Sequence, residues 1–264
     1  MVAGWPRRPV PVPGCVAAIA GDTPFRAVWE NECGGVTFEI GRGPERRFIK
    51  WSPVDAGIDL GAEAVRMEWA ARYITAPVVI DLGSDANGSW LVTAGLTGES
   101  AASDRWRRSP TKAVQAIGAG LRALHDALPA ADCTFSWSAE GRVADARSRA
   151  ATERLRPWCW HSEHRHLDVD EALGRIAATP SIDRLVVCHG DACVPNTLIG
   201  DDGHATGHVD LGRLGLADRW ADLAVATWST NWNFGGGHEQ GLLDAYGVDV
   251  DAERSAYYRL LWDV

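Results

Sequence analysis

The sequence predicts an α+β protein, with strands and one main helix in its first part and mostly helices after them. Three observations predict it. Short runs of strand character occur at residues 25–30, 31–40, 47–51, 77–80 and 89–93, with apolar and polar residues alternating after Gly34-Gly35 and glycine-bearing turns between several of the runs. Val114, Ile117, Leu121, Leu124 and Leu128 then recur at three- and four-residue spacing, which makes residues 111–128 an amphipathic helix that Pro129 stops. Shorter helical patterns follow at residues 143–155, 219–226, 241–246 and 252–262.

The most informative stretch runs from Leu185 to Ile199 and on to Arg213. Apolar pieces (Leu185 to Val187, Thr197 to Ile199, His208 to Val209) hold a polar loop that offers His189, Asp191 and Asn196, and the next turn offers Asp210. These residue types suit phosphoryl transfer. One carboxylate must meet a nucleophilic hydroxyl, while an amide oxygen and a second carboxylate hold the magnesium that bridges the nucleotide phosphates. The order matches the kinase signature in outline: a catalytic-loop Asp, an Asn a few residues later, then Asp-x-Gly. Here the wording is His189-Gly-Asp and Asp210-Leu-Gly, followed by Gly212-Arg-Leu-Gly-Leu-Ala-Asp-Arg-Trp-Ala-Asp-Leu-Ala224. That wording resembles the aminoglycoside phosphotransferases, kinase-fold enzymes that inactivate antibiotics. The resemblance covers roughly residues 25–264 and is densest from Leu185 to Ala226. It implies a eukaryotic protein-kinase-like bilobal fold, with a β-rich N-lobe around one main helix and a mostly helical C-lobe. It also implies ATP and Mg2+ as cofactors. Taken singly, Asp191 also reads as a turn former and Asn196 as a cap.

The elements follow in chain order. Residues 1–20 are Pro-rich, then small and apolar, and read as an irregular lead-in and an edge strand. Residues 25–40 read as two strands joined at Gly34-Gly35, either a plain hairpin or a turn whose backbone N–H groups cap nucleotide phosphates. Lys50 stands on the next strand, where a kinase holds the nucleotide's phosphates. A helix begins near Leu60 and carries Glu63 and Glu68, either of which can pair with Lys50; the resemblance (Glu63-Ala-Val-Arg66, then Trp69) selects Glu63. Residues 81–88 read as a turn between strands. The connector of residues 94–98 is expected to be the hinge, so that Thr93, Gly95 and Leu96 meet the adenine. This places a nucleotide-binding lobe at residues 1–95, a hinge at about 93–98 and a catalytic and substrate-binding lobe at residues 99–264. His125, near the apolar stripe of the long helix, reads as structural.

Downstream the chain departs from the family pattern. An acidic segment of the family contacts aminoglycoside amines, yet here only Glu163 keeps that character, with His161 and Ser162 where carboxylates are expected. Better-known members carry Arg-Asp where this chain has Trp228-Ser229. The run of residues 227–237 reads as a mobile loop whose aromatics wall the acceptor site. The family's terminal acids bind substrate amines, a role that would fall to Asp263 and the Val264 carboxylate. Asp222 reads as an anchor through hydrogen bonds, with His189 and Arg213 bracing the loop.

Composition bounds the function. The chain has 264 residues, 46% of them hydrophobic and 23% charged, as in an ordinary globular protein. No apolar run approaches the roughly 20 residues that span a bilayer, and no signal-peptide core follows the N-terminus, so a cytoplasmic address without a membrane partner is expected. The 6 cysteines lack metal-ligand pairing. Net charge is −9, and residues 161–264 hold 17 acidic residues against 7 arginines, a balance of −10. An acidic C-terminal half argues against nucleic acid and suits a polycationic ligand. The expected function is ATP-dependent O-phosphorylation of an aminoglycoside by a monomer or weak dimer, with Asp191 as catalytic base and Asn196 and Asp210 on the metal. Other readings are a kinase for another antibiotic, choline or a sugar derivative, and a non-catalytic nucleotide-binding regulator.

Overall fold

Strand alternation decides which side chains of the first part share a face. The computed structural model describes residues 4–264. These divide into two compact units, the first ending at Thr97 and the second spanning Gly98–Val264. In the first unit, helix α1 (Gly14–Ala20) precedes strands β1 (Phe25–Glu30), β2 (Val36–Ile40) and β3 (Arg47–Pro53). Helix α2 (Leu60–Ala70) and strands β4 (Val79–Ser84) and β5 (Gly88–Ala94) complete it. The five strands form one antiparallel sheet in the order β1-β2-β3-β5-β4. Val36, Phe38, Ile40, Ile49 and Val92 lie on one face, and α1 covers them with Val16 and Ala20. Lys50 follows Ile49 directly and therefore points to the other face, where it pairs with Glu63 of α2.

Two expectations are corrected here. Residues 14–20 form a helix and not an edge strand. Pro13 stands at its N-cap, alanine supplies helix propensity, and Val16 and Ala20 come four apart on the buried side. Strand β4 runs on to Ser84, because the Asp85 carboxylate accepts the N–H groups of Asn87 and Gly88 and tightens the turn to residues 85–87. The part of the lead-in at residues 1–3 lies outside the described residues.

The second unit opens with β6 (Glu99–Ser100) and the helices α3 (Asp104–Arg107), α4 (Pro110–Ala127), α5 (Ala139–Ala151) and α6 (Val169–Ala177). Strands β7 (Leu185–Cys188), β8 (Thr197–Ile199), β9 (Ala205–His208) and β10 (Gly215–Asp218) follow, then helices α7 (Trp220–Phe234), α8 (Glu239–Tyr246) and α9 (Ala252–Asp263). Strands β6, β8 and β9 make one small sheet, and β7 pairs with β10 in another. A continuous apolar core joins Ile117, Leu121, Ile176, Trp220, Leu242 and Leu261 from five helices.

Helix α7 continues through Phe234, where a mobile loop was expected from residue 227. Every residue from Trp220 to Thr230 is buried, so no polar stripe marks the helix in the sequence. The hydroxyls of Thr227 and Thr230 donate to the carbonyls of Leu223 (2.7 Å) and Thr227 (2.6 Å), which lets polar residues sit inside a dry helix. Helix α5 starts earlier than expected because Ser138 caps it through the Gly141 N–H. Among the described residues no helix is long and apolar enough to cross a membrane.

Candidate active site

The loop after β7 carries Asp191, and most of the bonds that hold it come from elsewhere in the chain. Asp222, fully buried on α7, accepts the N–H groups of His189 (2.6 Å) and Gly190 (2.9 Å). Burial alone would raise the Asp222 carboxyl; the hydrogen bond from His125 and the charge-dipole environment of the loop hold it below the ordinary value instead. His125 sits 3.0 Å from Asp222 through Nε2 and 2.8 Å from the Tyr246 hydroxyl through Nδ1. Gly190 has φ +84°, and a Cβ there would meet the Arg213 carbonyl oxygen at 2.2 Å, so the middle position of His-Gly-Asp admits no side chain. The His189 ring bridges the loop, with Nε2 donating to the Val209 carbonyl (2.9 Å) and Nδ1 accepting from the Asp191 N–H (3.2 Å). These two bonds assign its neutral Nε2–H tautomer.

Asp191 is half-buried; its Oδ1 is buried without a geometric hydrogen bond among the described residues, and the Cys193 thiol lies against the carboxylate. A buried carboxylate oxygen without such a bond is uncommon and costs stability, so it marks a group kept ready for something absent from the chain itself. Asn196 donates through Nδ2 to the Asp191 carbonyl (2.8 Å), which leaves its amide oxygen available. The Val209 N–H donates to the Asn196 carbonyl (3.0 Å), while the Val209 carbonyl takes His189. Val209 thus ties the loop to its own neighbour, Asp210. Asp210 adopts the left-handed region (φ 65°, ψ 55°), a conformation that Asp tolerates and most residues avoid. An amide oxygen and a carboxylate carried on neighbouring, tied backbone segments are donor types that Mg2+ takes.

In the first unit, Lys50 Nζ lies 2.9 Å and 2.8 Å from the two carboxylate oxygens of Glu63. Glu63 is buried, whereas Glu68 is exposed on α2. The Gly34-Gly35 turn joins β1 to β2 as a hairpin. Its N–H groups are already engaged by Asn31: Oδ1 accepts from Cys33 (3.0 Å) and Gly35 (2.7 Å), and the Asn31 carbonyl accepts from Gly34 (3.3 Å). The turn is therefore an Asn-closed loop and not a nest of open donors. At the connector, Thr93 is buried, the Gly95 N–H donates to the Arg46 carbonyl (2.9 Å), and the Leu96 carbonyl accepts the Arg46 guanidinium.

The acceptor-side residues are rearranged. Ser229 is fully buried, with its hydroxyl accepting the Val194 N–H (3.0 Å) and an Asn233 amide hydrogen (3.3 Å), so it fastens the catalytic loop from beneath. Trp228 is buried too; its indole N–H donates to Glu163 (3.3 Å). Helix α7, expected as an open loop from residue 227, turns both side chains inward. Val264 is likewise buried. Asp263 accepts the His161 N–H (2.9 Å) and sits 2.6 Å from His164 Nδ1, which engages the carboxylate within the segment. Glu163 is exposed. The sequence signals for His125, Tyr246 and Ser229 as partners of the loop were weak, since each lies on a different helix and joins it only in three dimensions.

A family model described as "Phosphotransferase enzyme family" matches residues 38–258. An aminoglycoside 3'-phosphotransferase of Streptomyces fradiae is 34% identical over 253 residues, covering 90% of this chain and 93% of that one. The streptomycin 3''-kinase of Streptomyces griseus is 30% identical and covers 94% of this chain and 95% of its own. Among solved structures, the aminoglycoside phosphotransferase of Streptomyces rimosus in complex with ADP and streptomycin is similar with a TM-score of 0.74 at 30% identity, covering 94% of this chain and 95% of that one.

Proposed function

The chain belongs to the aminoglycoside phosphotransferase family, and on that premise we propose that it moves the γ-phosphate of ATP to a hydroxyl of an aminoglycoside, conferring resistance. Its protein-kinase-like α+β fold is the one its relatives share. The observation that carries the reading is the Asp191 loop: a carboxylate with a buried oxygen that takes no geometric hydrogen bond among the described residues, held by bonds to Asp222, Ser229 and Val209.

In this reading Asp191 receives the proton of the acceptor hydroxyl as its oxygen bonds to the γ-phosphorus. The bond from that phosphorus to the β–γ bridging oxygen breaks, and ADP leaves. Lys50, oriented by Glu63, meets the nucleotide phosphates as a point charge. Asn196 and Asp210 would hold Mg2+, which when bound neutralises charge on the phosphates. The chain's own contribution is chiefly positioning, since phosphoryl transfer asks little covalent chemistry of the protein. ATP is a cytoplasmic nucleotide, which supports a cytoplasmic address for the reaction. The acidic second half of the sequence would concentrate a polycation near the site.

An ADP-release assay of purified protein against an aminoglycoside panel, with choline and simple sugars as controls, tests this. At least one aminoglycoside should raise turnover well above the ATP-only background. Stimulation by a control alone would reject the acceptor class.

A further inference from the structure

Resting on the kinase reading above, we propose that the aromatic wall around Trp232 is a subsite for a planar cation, a guanidinium substituent carried by the acceptor. Trp228 forms the buried floor. Trp232 lies 5.1 Å from it between ring centroids, His161 4.5 Å from it, and Trp262 6.4 Å from it. His161 is also 5.8 Å from Trp232, and Trp262 is 6.1 Å from Trp232, so the rings form one continuous surface. Trp232 is 43% exposed, which presents its ring to solvent. His161 is fixed in place, its Nδ1 accepting the Glu163 N–H (3.3 Å).

The charges around this wall favour a cation, but of a particular kind. Asp263 is engaged by His164 and the His161 N–H, and Glu239 by Arg259 (2.7 Å) and Asn231 (2.8 Å). Glu163 is the exposed carboxylate at the rim, 3.3 Å from the Trp228 indole nitrogen. An ammonium group is strongly hydrated and needs several oxygen acceptors to replace its water; a guanidinium is weakly hydrated and stacks on aromatic faces. The wall offers faces and few free oxygens. The protein already stacks guanidinium on indole nearby: Arg259 lies 5.9 Å over Trp228. Arg142 over Trp137 (4.6 Å) and Arg105 over Trp106 (4.8 Å) repeat the pairing. Position supports the role, because Trp228 and Trp232 flank Ser229, whose hydroxyl holds the Val194 N–H of the Asp191 loop.

Calorimetric titration without nucleotide, paired with KM from ADP release, tests the subsite. The probes are streptomycin, which carries guanidinium groups, and kanamycin, which carries only amines. Trp232→Ala should weaken streptomycin binding on the order of tenfold, by clearly more than it weakens kanamycin, and Trp232→Phe should recover most of the loss. No streptomycin binding by the wild type, an unchanged streptomycin Kd in Trp232→Ala, or an equal loss for both probes would overturn the subsite. The two claims fail separately. Trp232-dependent streptomycin binding with no phosphorylation of any aminoglycoside keeps the subsite and rejects the kinase reading. Aminoglycoside phosphorylation with a streptomycin KM indifferent to Trp232→Ala does the reverse.

Discussion

Two loops carry residues proposed to serve phosphoryl transfer, and they are held in opposite ways. The turn from Asn31 to Gly35 is closed by its own first residue, whose side chain and carbonyl take the N–H groups of Cys33, Gly34 and Gly35. Its tip is exposed. The loop from His189 to Asn196 is fastened from outside: by Asp222 33 residues away, Ser229 35 residues from Val194, and Val209 20 residues from His189. Asp222 and Ser229 are fully buried, and Val209 is half-buried. A locally closed turn can open at the cost of a few exposed hydrogen bonds, whereas a loop tied to buried groups moves only if the core moves with it. The contrast separates a compliant turn, proposed to face the nucleotide, from a rigid loop, proposed to be catalytic.

The largest effect is expected at Asp222. Asp222→Ala strands two buried backbone N–H groups and His125, and should cost about 3–5 kcal/mol of stability, the penalty for breaking a buried network. Urea denaturation reads this directly; a loss below about 1 kcal/mol would mean the loop does not depend on the brace. Ser229→Ala should cost about 1–3 kcal/mol by leaving the Val194 N–H without its acceptor. Its kcat should fall while KM for ATP stays close to wild type, and a change confined to KM would contradict the bracing role.

Acid probes the same brace. The Asp222 carboxyl is held below its ordinary value, so the unfolded chain takes up that proton first as pH falls. Its stabilisation is complete above the unfolded carboxylate range near pH ~4 and is lost below it, at up to about 1.4 kcal/mol per pH unit. Asp222→Asn should therefore show a shallower acid limb below pH ~4 in a denaturation series. The smallest effect belongs to the compliant turn. Asn31→Ala should cost about 1 kcal/mol, with its main consequence in KM for ATP and little in kcat. A stability loss as large as that of Asp222→Ala would erase the contrast.

Much of this was readable in advance where the determinants are local. The alternation of β1 to β3 and the spacing of Val114, Ile117 and Leu121 each declare one buried face. The order His189, Asp191, Asn196, Asp210 identified the chemistry before any fold was visible. Helix α7 was hidden beyond residue 226 because burial on all sides erases periodicity, and with it went the true positions of Trp228 and Ser229. Strand β10 is four residues long and helix α6 nine, too short for their patterns to stand out. The engagement of Asp263 by His164 joins residues 99 apart, a pairing that no spacing rule announces.

The central claim is that Asp191 receives the acceptor's proton from a loop built to hold it. Its most direct test is Asp191→Ala, with ATP affinity measured by calorimetry and phosphate transfer measured by ADP release with an aminoglycoside that the wild type phosphorylates. The variant should bind ATP within about twofold of wild type and lose turnover by roughly a hundred- to ten-thousandfold, the range for removing a general base. Wild-type turnover in Asp191→Ala would contradict the account.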